Sequence, residues 1–172
     1  MLHRLGQGLR AVLAFATSPD LDLAGRYLTQ RELAAFTRMS RADQLHSLNV
    51  LRSVLRAEPA APAVLTAAAL LHDVGKSRYH LAVWQKTLAV LMLRFAPGLS
   101  QKLSHEESFS KWRALFVVRR NHPKWSGELL RECGSDTVVI WLAENHHGDA
   151  KHYRDHKYIS LLTTLQAADS SY

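Results

Sequence analysis

Cysteine is almost missing from this chain: Cys133 stands alone among 172 residues. No intrachain disulfide can form, and zinc sites built from several thiolates are excluded. A lone thiol suits a reducing, cytoplasmic compartment. Proline and glycine are also scarce, at five and eight, and they fall at plausible boundaries between packed helices. No apolar run approaches the roughly 20 residues of a membrane-spanning helix. Arg10 interrupts the N-terminal apolar patch, and "AVLAFA" is too short for a signal-peptide core, so this region reads as an amphipathic first helix. Like charges never run five or six together, so no dedicated nucleic-acid arm is indicated. A glycine-rich phosphate loop is absent as well, because "LGQG" is not followed by Gly-Lys-Ser/Thr.

What is present fits one soluble domain over residues 1–172. The chain is 47% apolar and 22% charged and long enough for a sizeable core. Its net charge of +7 favours anionic partners such as phosphorylated metabolites and nucleotides. Helix signals recur along it. Thr29 with Glu32 makes a capping box, and Ser40 with Asp43 has the same spacing. Leu45, Leu48, Leu51 and Leu55 recur every three or four positions. Pro62 opens a helix that runs into His72-Asp73. "LAVWQKTLAVLMLRF" (81–95) predicts another apolar helix, in which Trp84, Leu88, Leu91 and Leu93 are core. "KWRALFVVRR" (111–120) is ambiguous between helix and strand. His122-Pro123 reads as an N-cap region followed by a first-turn proline, which opens a helix ending at Gly134. "VVIW" has strand propensity, but Val138, Trp141, Leu142 and Asn145 share a helical face. "YISLLTTLQAAD" closes the described pattern. The class is all-α.

Ten histidines are the less ordinary feature. His46 lies inside a helix, His72-Asp73 ends one, and His122 precedes a proline. His146-His147 ends another helix, and Asp169 stands near the end of the last. Singly, each has a bland reading as a core histidine, a solvated helix end or a terminal charge. Together they make a set of imidazoles and carboxylates suited to first-row divalent metals, and seven groups are too many for one ion and about right for two. His3, His80, His105, His152 and His156 have no comparable spacing and read as surface or loop.

The order His…His-Asp…His…His-His…Asp resembles the HD-domain superfamily of metal-dependent phosphohydrolases. "LLHDVGK" is similar to the HDIG-type signature of its bacterial branch, with Val74 for isoleucine. "QLHSLNVL", "NHPKWSGELL", "LAENHH" and "LQAAD" resemble the family's other segments, so the resemblance covers roughly residues 40–169, with N-terminal helices over 1–39. It implies a single HD-type helical bundle with a metal site where helix ends converge. It also implies metal-ligand roles for His46, His72, His122, His146, His147 and Asp169, with Asp73 bridging two ions. Lys76 matches the lysine beside the substrate phosphate. The Gly-Tyr-Pro element of the cyclic-di-GMP phosphodiesterase branch and the Glu-Asp pair of the alarmone hydrolases are both absent.

Such a set supports hydrolysis of a nucleotide or other small phosphate ester. Two ions (Fe, Mn, Ni, Co or Zn) roughly 3.5–4 Å apart bring a shared water to near-neutral pKa. Lys76 then offsets charge on the phosphoryl oxygens. Gly75 is expected to supply the turn that returns Lys76 to the metals. The same ligands would serve a mixed-valence di-iron oxygenase, and a non-catalytic nucleotide-binding module is the rival of a different class. Arg78, Arg119, Arg120 and a loop over 147–157 carrying Lys151, Arg154 and Lys157 are further candidates to meet an anion, with a solvated surface as the alternative.

Overall fold

Helix starts follow from side chains that take up otherwise orphaned backbone N–H groups. In the computed structural model, which describes residues 18–78 and 114–171, Asp20 accepts from the Leu23 N–H at 2.9 Å and opens α1 (Leu21–Gly25). Thr29 and Glu32 form the expected reciprocal capping box at α2 (Gln30–Thr37). Ser40 accepts from the Asp43 N–H at the head of α3 (Arg41–Ala57). α4 (Ala63–Leu71) begins after Pro62, and a 3₁₀ turn over Val74–Arg78 follows it. Then come α5 (Ala114–Cys133), α6 (Thr137–Asn145), a second 3₁₀ turn over Ala150–Tyr153, and α7 (Ile159–Ser170). Among the described residues there is no strand, and the fold is an all-α bundle. The helices expected near the N-terminus and over 81–95 lie outside the described residues, as do His3, His80 and His105.

α4 is the central element. Leu65, Ala68, Ala69, Leu70 and Leu71 are fully buried, and α3, α6 and α7 pack against it. Its run of alanines lets neighbouring backbones approach closely, while Leu48, Leu51, Leu130, Leu142, Leu162 and Leu165 fill the space around it. Burying each such leucine contributes about 1.5–3 kcal/mol. Because α4 is enclosed, its C-terminal end opens inward, among other helices. Among the described residues no helix is long and apolar enough to cross a membrane.

Three sequence readings change. First, α5 does not begin at Pro123: one helix runs from Ala114 through that proline to Cys133, and the ambiguous segment is helical from Ala114 on. Pro123 cannot donate to the Arg119 carbonyl four residues back. The His122 side chain supplies the missing donor, with Nδ1 2.9 Å from that carbonyl and 3.1 Å from Val118 O. Second, the "VVIW" segment is helical as expected, but its buried face is Val139, Ile140, Leu142 and Ala143, with Val138, Trp141 and Asn145 only partly covered. Third, Gly75 does lie in the turn that returns Lys76 to Asp73, but without a left-handed backbone. Gly134 alone has positive φ, at 74°, among the described residues. There Gly134 and Ser135 donate to Arg131 and Leu130 in the expected C-terminal cap of α5. Gly75 answers to space instead. A Cβ on it would stand 2.3 Å from the His122 carbonyl oxygen and 2.5 Å from the Ser126 nitrogen.

Candidate metal centre

Five helices deliver the candidate side chains. His46 comes from the middle of α3, His122 from the middle of α5, and Asp169 from the last turn of α7. His72-Asp73 and His146-His147 each occupy a helix C-terminus. Successive residues within a helix diverge by about 100°, so a pair of adjacent ligands needs such an end, where the backbone leaves the helical path.

The structure gathers all seven residues into two adjoining groups. His46, His72 and Asp169 form one, and Asp73, His122, His146 and His147 form the other, each with ligand atoms within 4.8 Å of one another. Asp73 lies between them. Its Oδ2 is 3.5 Å from His72 Nε2 and 3.8 Å from His46 Nε2. Its Oδ1 is 3.2 Å from His122 Nε2 and 3.6 Å from His146 Nε2. Asp169 Oδ1 sits 2.8 Å from His46 Nε2 and 3.6 Å from His72 Nε2. Lys76 Nζ donates to Asp73 Oδ2 at 2.5 Å.

Backbone carbonyls orient three of the rings. Nδ1 of His72, His122 and His146 approaches the carbonyls of Ala69, Arg119 and Ala143 at 3.1, 2.9 and 2.7 Å. A carbonyl only accepts, so each Nδ1 carries a proton. In the neutral ring the Nε2 lone pair then faces the centre. Nε2 of His122 and Nε2 of His146 are only 3.3 Å apart. Two lone pairs that close repel unless a proton or a metal ion lies between them. His72 Nε2 and Asp73 Oδ1 are buried without a hydrogen-bond partner, a costly condition for polar groups. Inward-facing imidazoles, buried polar atoms without hydrogen-bond partners and two carboxylates are a donor set that fits divalent first-row ions.

Electrostatics point the same way. Burial opposes the charge on Asp73, but His72, Lys76 and the His122 and His146 contacts hold it well below the usual carboxylate range. Burial likewise opposes ionisation of Asp169, and hydrogen bonds from His46 and His72 outweigh it, leaving its pKa lowered. Burial pushes His146 down, and burial together with His146 and His122 brings His147 to about 4. His72 goes the other way. Burial lowers it, yet the Asp73 charge and the contacts to Asp169 raise it to about 9.

A pH effect on the metal-free protein follows. The raised His72 pKa contributes stability in full below its unfolded value of about 6.5, and that contribution is lost as pH rises through about 9. Chelator-treated protein is therefore expected to melt at a lower temperature at pH 9.5 than at pH 6.5. Equal or higher melting at the alkaline pH would contradict the protonated His72–Asp73 pair.

Sequence reasoning missed two side chains that hold the candidate ligand pairs in place. Ser126 on α5 is buried, and its hydroxyl accepts from the Gly75 N–H and donates to the His72 carbonyl, both at 2.8 Å. Gln166 on α7 donates through Nε2 to the carbonyls of His146 at 3.0 Å and Gly148 at 2.7 Å. Both act on backbone far away in sequence, so neither leaves a spacing signal. The other candidates lie elsewhere. Arg78 pairs with Glu128 at 2.6 Å and lies over Trp125. Arg119 and Arg120 are exposed on α5. Segment 147–157 is not a bare loop: it contains the second 3₁₀ turn, and His156 stacks on Trp141 at 4.0 Å with an interplanar angle of 3°. Lys151, Arg154 and Lys157 are exposed, and Lys157 Nζ lies over the Tyr158 ring, 4.7 Å from its centre.

A sequence model of the HD domain matches residues 44–171. That span contains all seven clustered residues and Lys76. No curated protein and no solved structure matches the chain.

Proposed function

The chain belongs to the HD domain family, and from that premise we propose that it is a two-metal phosphohydrolase of the HDIG type acting on a nucleotide or other small phosphate ester. The observation that carries this reading is Asp73, whose two oxygens turn towards different ligand groups. His46, His72 and Asp169 would hold one ion, His122, His146 and His147 the other, and Asp73 both. Bound there, Fe, Mn, Ni, Co or Zn ions would supply an activated water and Lewis-acid stabilisation of the phosphoryl oxygens.

The chain's own residues then divide the remaining work. His72 and His122 are sealed from solvent, so the inner side of the site excludes bulk water and keeps its electrostatics strong. His46 and Lys76 are each 30% exposed and Asp169 26%, and His147 is exposed, which marks the side where a substrate enters. Lys76 Nζ stands on that side with its charge held by Asp73, and its pKa is raised because the Asp73, Asp43 and Asp169 charges outweigh burial. It would donate to a phosphoryl oxygen and offset the charge that builds there. The overall charge of +7 draws anions to the molecule.

Purified protein loaded with Mn²⁺, Fe²⁺ or Ni²⁺ is expected to retain about two ions per chain and to hydrolyse members of a phosphomonoester and phosphodiester panel. Lys76→Met should lower turnover about 10²- to 10³-fold, as loss of one transition-state charge donor does, with metal content unchanged. Protein that retains no stoichiometric metal after loading sinks the reading. A nucleotide that binds tightly and stays intact with metal present would replace catalysis with recognition.

A further inference from the structure

Ser126 lies four residues beyond His122 on α5, so the two share one face of the helix. A serine hydroxyl has one proton to give and lone pairs to accept with, and Ser126 uses both on the turn that carries Asp73. It accepts from Gly75 N–H and donates to His72 C=O. In an uninterrupted 3₁₀ turn the Gly75 N–H would pair directly with the carbonyl three residues back, which is that of His72. The next such pair is made directly, from Lys76 N to Asp73 O at 3.0 Å. The Ser126 hydroxyl is thus inserted into one bond of the turn, and the two residues between the parted groups are Asp73 and Val74. The same helix face sends His122 Nε2 to within 3.2 Å of Asp73 Oδ1. One stretch of α5 therefore supplies a candidate ligand and fixes the backbone on both sides of its carboxylate neighbour.

We propose that Ser126 is a positioning residue of the metal centre: its inserted hydroxyl holds the His72–Gly75 turn open so that Asp73 faces both ligand groups. The inference rests on the metal-binding reading above. A purely structural serine would make a different prediction. Removing it would leave a buried N–H and a buried carbonyl unpaired and cost stability. Here the two parted groups belong to the same turn and can close on each other when the hydroxyl is removed. The backbone stays satisfied, the turn tightens, and Asp73 rotates away from its place between the groups.

The test is Mn²⁺ titration into chelator-stripped full-length protein, by calorimetry or by competition with a chromophoric chelator, for wild type, Ser126→Ala and Ser126→Cys. Cysteine keeps the side-chain shape but is a weak hydrogen-bonding group, so it reports on the bonds even if the alanine variant folds poorly. Both variants are expected to bind Mn²⁺ about 10- to 100-fold more weakly, the usual effect of losing a group that orients a ligand. Their metal-free melting temperatures should stay close to that of wild type. The inference is overturned if both variants bind Mn²⁺ as wild type does, or if lost affinity merely parallels lost stability in the metal-free protein. Wild-type protein that binds no Mn²⁺ overturns the metal reading itself. Tight wild-type binding matched by the variants overturns only the role of Ser126.

Discussion

Asp73→Asn is expected to remove at least one of the two ions proposed for this site and to lower the proposed hydrolysis by more than about 100-fold. Changing a group that merely orients a ligand costs 10- to 100-fold, and Asp73 stands one step closer, beside both ligand groups. Asparagine matches the side chain in size but not in charge or donor pattern. One of its two ends is an NH₂ that cannot ligate. Whichever way the amide settles, a donor replaces an acceptor on the Oδ1 side, near His122 and His146, or on the Oδ2 side, near His46 and His72. The charge loss compounds this. Asp73 is 2% exposed, and its ionised form balances Lys76 and raises His72. Without it His72 loses the principal group holding its proton, so metal binding at neutral pH should release fewer protons than in wild type. Metal analysis, buffer-dependent calorimetry and turnover measure the three consequences. Loss of one ion with hydrolysis intact would sink the bridging role, and two retained ions with wild-type turnover would remove Asp73 from the chemistry altogether.

Much of this site was legible because metal chemistry restricts residue types. Only a few side chains ligate divalent ions, so His46, His72-Asp73, His122, His146-His147 and Asp169 stood out, and the fold brings all of them together. Helix starts were legible for a similar reason: a cap needs its oxygen within three residues of the N–H it accepts, which makes Thr29–Glu32 and Ser40 local signals. What escaped was interaction over distance. Ser126 reaches back more than 50 residues to His72 and Gly75, and Gln166 reaches 20 to His146. A hydroxyl or an amide that bonds to backbone carries no partner pattern in sequence. Pro123 misled because a proline usually marks a boundary. Here the following turn is continuous because the preceding side chain, His122, accounts for the carbonyl that the proline leaves unpaired. The same bond fixes the ring that faces Asp73, so a local departure from helix rules serves the site.

The largest stability effect should come from Gly75→Ala, and its contrast with Gly134→Ala tests why glycine is needed. If glycine served here for backbone freedom, as the sequence suggested, the left-handed Gly134 would be the more sensitive position. The structure reverses that order. At Gly134 an added Cβ meets nothing within 4 Å, so alanine there bears only the left-handed penalty of about 1–2 kcal/mol. At Gly75 the same methyl meets backbone on α5, with His122 O at 2.3 Å and Ser126 N at 2.5 Å. Rigid backbone cannot swing aside as a side-chain tip can, so the turn and α5 must separate by about an ångström. That separation breaks the bond from Gly75 N–H to Ser126 and withdraws His122 from Asp73. Overpacking of this kind costs about 1–3 kcal/mol or more, and the buried Ser126 hydroxyl, left unpaired when the turn closes on itself, adds about 1–3 kcal/mol. Against this, alanine recovers at most about 1 kcal/mol of helical preference. A net loss of about 2–5 kcal/mol is a large share of an ordinary domain's 5–15 kcal/mol. Urea unfolding of the metal-free protein should therefore rank wild type above Gly134→Ala and Gly134→Ala above Gly75→Ala, with Mn²⁺ affinity lost in the last. A Gly75→Ala protein as stable as wild type, binding Mn²⁺ normally, would mean that close contact with α5 is not what requires glycine in this turn.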